Sequence, residues 1–60
     1  MTEEEIEAEA IALNDYVFFS THYGATKEYF ENKTIRLVDQ MRILEKSVVI
    51  LTDAAKKANK

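Results

Sequence analysis

Nine residues, Phe30, Thr34, Leu37, Met41, Leu44, Val48, Leu51, Ala55 and Ala58, follow one another at alternating steps of four and three. That spacing is a heptad repeat, with Phe30, Leu37, Leu44, Leu51 and Ala58 at d and Thr34, Met41, Val48 and Ala55 at a. Sustained over four heptads, it calls for an α-helix with a narrow coiled-coil-like seam, because the helical turn brings those positions to one side. The f positions, Asn32, Asp39, Lys46, Asp53 and Lys60, are all polar, as a solvent-facing row should be. The pattern predicts a helix over residues 27–58. It specifies packing and says nothing of chemistry.

A second stripe precedes it. Ile6, Ala10, Leu13 and Val17 recur at steps of four, three and four, the spacing of an amphipathic helix over residues 3–21. Thr2 and Glu5 have the spacing of a capping box at its start. Continued past Val17, the stripe runs into Ser20, Gly24, Lys27 and Glu31, so the apolar face ends there. Gly24 can take the left-handed conformation that closes a helix, and Ser20–Tyr23 are weak helix formers. A turn over 22–25 is expected, with Thr26 as the next N-cap. Across Gly24 the two stripes are out of phase by about half a heptad, which favours a hairpin over one long interrupted helix. The fold expected is all-α: an antiparallel helical hairpin, a short acidic helix followed by a long heptad-patterned one, forming a single domain over 1–60.

Composition removes whole classes of function. Sixty residues without cysteine exclude disulfide staples, thiolate metal sites and cysteine nucleophiles. No proline and one glycine leave no glycine-rich phosphate loop and no turn-rich β architecture. His22 is the one histidine, so imidazoles of one chain cannot build a zinc site, and neither metal nor cofactor is expected. Ser20 and Thr21 are the hydroxyls beside it, and bonding to backbone carbonyls is the expected use for them. No enzymatic activity is expected.

The net charge of −3 is unevenly spread. Residues 1–23 carry six acids and no base, whereas residues 24–60 carry five acids and eight bases. The bases alternate with Glu28, Glu31, Asp39, Glu45 and Asp53 instead of clustering on one face, so nucleic acid is not an expected partner. The acidic first half also permits a nucleic-acid mimic, although acids at a helix start are ordinary partners of its positive dipole end. An acidic N-terminus is no signal peptide, and the run Val48–Leu51 falls far short of the roughly 20 residues of a membrane span. A soluble cytoplasmic protein with no membrane partner is expected.

A hairpin turning at Gly24 sets Glu3 opposite Glu45 and brings Glu3–Glu9 near Arg42 and Lys46. Residues 46–60 would then project about 20 Å past the first helix. Val48, Val49, Ile50 and Leu51 lie in that overhang, and Ile43 and Ile35 extend a second apolar stripe. One short helix cannot cover so much apolar circumference. The leading expectation is therefore an interaction module that self-associates as a helical bundle or coiled coil, or docks on another helical protein as an assembly subunit, adaptor, co-chaperone or small inhibitor. Leu37, Met41, Leu44, Val48 and Leu51 form the interface seam, with Ile43, Val49 and Ile50 on the second face. The alternative is a small-ligand-binding oligomer that sequesters an anionic or nucleotide-like molecule through Tyr16, His22, Tyr23, Arg36 and Arg42. All six aromatics fall between Tyr16 and Phe30, as a mini-core at the turn or as a stacking surface.

Overall fold

A computed structural model describes residues 1–58. Its described residues form three helices and no strand: α1 (Glu3–Phe19), α2 (Ala25–Glu31) and α3 (Leu37–Ala58). α1 opens on the expected capping box. The Glu5 amide donates to the Thr2 hydroxyl at 3.2 Å and the Thr2 amide to the Glu5 carboxylate at 2.9 Å. The Thr2 amide above all, and then the Thr2 hydroxyl, hold the Glu5 carboxyl below its ordinary value. α1 ends one residue before Ser20, whose N–H closes on the Val17 carbonyl at 3.2 Å. Gly24, at φ 81°, then supplies the left-handed step into α2. It, rather than Thr26, is the N-cap.

The helix expected over 27–58 is two helices. α2 stops at Glu31, and Asn32–Arg36 form a loop before α3 begins. Asn32, Lys33, Thr34 and Ile35 include weak helix formers and two adjacent β-branched residues. The tertiary contacts make use of that weakness. Glu9 of α1 accepts from the Tyr29 hydroxyl at 2.7 Å and from Lys33 Nζ at 3.1 Å, and Glu28 of α2 accepts from the Tyr16 hydroxyl. These pairs descend along α2 as they ascend along α1, so the chain folds back at Ser20–Gly24. A straight continuation would carry Ile43 away from α1. The loop instead redirects α3 across α1.

The contacts between α1 and α3 ascend together: Met1 with Asp39 at 3.9 Å, Glu3 with Arg42 at 3.3 Å, and Asn14 with the Ser47 carbonyl at 3.2 Å. α3 is thus not the antiparallel second arm of a two-helix hairpin. Two reversals, one at Gly24 and one at Asn32–Arg36, restore the direction of α1. The core lies where the helices meet and comprises Ile6, Ala10, Leu13, Tyr29, Phe30 and Ile43, with Tyr16, Ile35 and Ile50 packed at its margin. The shortest extent between Cα atoms is 13 Å, the thickness of two helix layers about 8–10 Å apart. Two layers bury one face of each helix and leave the others to solvent. No helix among the described residues is long and apolar enough to cross a membrane.

Candidate interaction surface

α3 turns an unexpected side inward. The residues buried against α1 are Asp39, Ile43 and Ser47, with Ile50 half-buried beyond them. Ile43, expected on the second partner-facing stripe, is fully buried in the chain's own core. It is unavailable to a partner, and Ile50 is largely so. The reason is shape. Ala10, fully buried beneath α3, and Ser47, opposite Asn14, have side chains small enough to bring the helix backbones close, whereas the Leu/Met row would hold them apart. Two polar residues on the inner line are satisfied in place. The Ser47 hydroxyl donates to the Leu44 carbonyl at 2.8 Å, and Asp39 faces the N-terminal ammonium.

The heptad seam points elsewhere. At 100° per residue, Leu44 lies about 100° around the helix from Ile43, and Leu37, Met41, Val48 and Leu51 share its side. Four of them are strongly exposed: Leu37 at 73%, Met41 at 63%, Val48 at 61% and Leu51 at 56%, with Leu44 at 39%. Val49 is also exposed. From Leu37 to Leu51 the row runs about 21 Å along the helix. It widens where α3 passes α1. Val17, Phe18, Thr26, Leu44, Val48 and Leu51 border one open groove of about 410 Å³ that also reaches Leu13, Asn14 and Ser47. Phe18 stands almost entirely in solvent, edge-on to Phe19 with ring centroids 5.1 Å apart. The result is a continuous apolar surface spanning α1 and α3, with Thr26 of α2 at its edge.

The ligand-site residues proposed from sequence do not converge within the chain. Tyr16 and His22 both address Glu28. Tyr23 extends fully into solvent. Arg36 is an exposed loop residue, and Arg42 pairs with Glu3 at the N-terminal end of α1, the opposite end from Tyr16 and His22. The aromatics divide as well: Tyr29 and Phe30 are core, Tyr16 is half-buried against Tyr29, and Phe18, Phe19 and Tyr23 are exposed. Several acids of the first half are engaged, Glu3 by Arg42, Glu9 by Lys33 and Tyr29, and Glu5 in its cap.

One polar constellation adds Glu28 to the Ser20 and His22 that adjoin in the sequence. Ser20 Oγ lies 3.1 Å from His22 Nδ1, and His22 Nε2 lies 2.7 Å from Glu28 Oε2. The hydroxyl bonds to the imidazole and not to a backbone carbonyl. Hydroxyl, imidazole and carboxylate in series is the order of an activated serine. The Ser20 N–H itself bonds the Val17 carbonyl at 3.2 Å. What the series does in place is tie the turn to α2. The Tyr16 hydroxyl and then His22 hold the Glu28 carboxyl below its ordinary value, and Glu28 in turn raises Tyr16. The Ser20–His22–Glu28 spacing was present in the sequence, but only the left-handed step at Gly24 brings Glu28 back to His22. Among the described residues no group of acids and histidines is arranged to hold a metal ion. No protein-family model, curated protein or solved structure matches the chain.

Proposed function

We propose that this protein is a non-enzymatic protein–protein interaction module whose three-helix body presents the α3 seam to another helix. The carrying observation is the exposure, in one row, of Leu37, Met41, Val48 and Leu51. The fold of the chain does not use these residues as its core, yet they keep the a/d spacing that a helical neighbour requires. An apolar surface of this continuity is costly to leave in water and marks a place of contact. The seam carries no charge, which matches a helical partner better than a phosphate-bearing one.

Val48→Lys tests the reading. Val48 lies outside the core, so the variant keeps its helical circular dichroism. Binding of an apolar-surface dye to any monomer, or association of the wild type beyond 6.9 kDa in light scattering, is lost in the variant. A variant that folds and matches the wild type in both dye binding and mass rules the seam out.

A further inference from the structure

Resting on the assignment of the α3 seam as an interaction surface, we infer that its occupant is a second copy of this chain, seam on seam about a two-fold axis. The first argument is area. A compact monomer of 6.9 kDa exposes about 4,000 Å² by the scaling of folded proteins. This chain exposes 4840 Å². The excess, about 800 Å², is what one partner contributes to a stable interface of standard size. The flat, two-layer body and the uncovered end of α3 account for that excess, and the part of it with packing order is the seam.

The second argument is complementarity. Heptad knobs seat in holes formed by another heptad helix. α1 cannot serve as that helix, because its regular stripe of Ile6, Ala10 and Leu13 is already buried. α2 is too short at seven residues. Among the described residues the free heptad row is on α3, so a second α3 supplies both the matching pattern and its own uncovered row. A two-fold axis makes one such surface sufficient for closure. The flanks permit the approach. Val38, Gln40 and Thr52 border the seam without charge, Ser47 on the same flank is buried against α1, and Glu45 is the one charged residue among the e and g positions within α3. Phe18, at the rim of the groove containing Val48 and Leu51, adds a large anchor beside the seam.

The absence of cysteine makes a direct test clean. Single cysteines are placed at Met41, Leu44, Val48 and Leu51, and at Asp53 as an outward-facing control. Sedimentation equilibrium of the cysteine-free chain accompanies mild oxidation of each variant. The expected result is twice the 6.9 kDa monomer mass, inter-chain disulfides at one or more seam positions, and none at Asp53. Val48→Lys returns the mass to that of one chain. A wild type that stays monomeric from micromolar to millimolar concentration overturns the second copy, while the dye test above still decides whether the seam is an open surface. A dimer that links through Asp53 and not through the seam overturns both.

Discussion

Ile43 is the residue on which the packing of α3 turns. It is fully buried against α1, and its truncation leaves a cavity with α1 on one side and α3 on the other. Ile43→Ala should cost about 2–5 kcal/mol in urea unfolding, a large share of the stability open to so small a domain. Val48→Ala, a few residues along at an exposed position, should change monomer stability by less than about 0.5 kcal/mol. Glu9 is the corresponding polar residue. The Tyr29 hydroxyl above all, and then Lys33, hold its carboxyl below the ordinary 4.5. Glu28 is held low in the same sense by Tyr16 and His22. For an acid shifted down, the stabilisation is complete above its unfolded value and disappears as pH falls through the folded one. Thermal stability should therefore decline as pH drops below about 4.5, and Glu9→Gln should flatten that decline. On the alkaline side the same contacts act in reverse. Burial and Glu9 raise Tyr29, Glu28 raises Tyr16, and Tyr29 with Glu9 raises Lys33. Groups shifted up stabilise below their unfolded values, so stability should fall again as pH rises past the ordinary tyrosine value of 10.0. Melting curves across pH check both limbs.

At the level of elements, the two ends of α1 are specified in different ways. Its start is chemical and local: Thr2 and Glu5 exchange bonds without help from the rest of the chain, and Thr2→Ala should cost about 1 kcal/mol. Its exit is conformational. A Cβ at Gly24 would meet nothing within 4 Å, but the residue sits at φ 81°. Gly24→Ala should thus destabilise by about 1 kcal/mol from backbone strain alone, and Gly24→Asn by less, since asparagine tolerates that region better. Both helix stripes and this turn were legible in the sequence because each is a local pattern. The break at Asn32–Arg36 was not. The heptad register passes through Thr34 without interruption, and nothing in spacing alone distinguishes a continuous helix from two helices in phase. What separates them is the bond set between Glu9, Tyr29 and Lys33, which joins residues 20 and 24 positions apart.

For the whole molecule, the consequence of that break is an inversion of roles. A continuous helix would have carried the heptad row past the start of α1, with no line of α3 on it. Redirected, α3 gives α1 the line of Asp39, Ile43 and Ser47 and keeps the Leu/Met row outside. The uncovered length also moves. It begins at Leu51 rather than at Lys46, since Ser47 is buried and Ile50 half-buried, and residues 51–58 are exposed throughout. Shortening the chain after Thr52 should accordingly leave the monomer's unfolding free energy within about 0.5 kcal/mol of the full chain's, as chemical denaturation of the two lengths at micromolar concentration would show. In the proposed dimer the same truncation removes little of the seam, and association should persist.

By itself the sequence determined that this chain is helical, where α1 begins, where the chain first reverses, and that its apolar surface exceeds what its own length can cover. These follow from periodicity, capping chemistry and area, all of which act over a few residues or over the total. Which stripe of α3 faces inward was decided by the tertiary structure. Close helix approach at Ala10 and Ser47 favours small side chains at the crossing, and the anchoring of α2 on Glu9 sets the point from which α3 departs. Both are contacts between residues distant in the chain, so no local pattern encodes them.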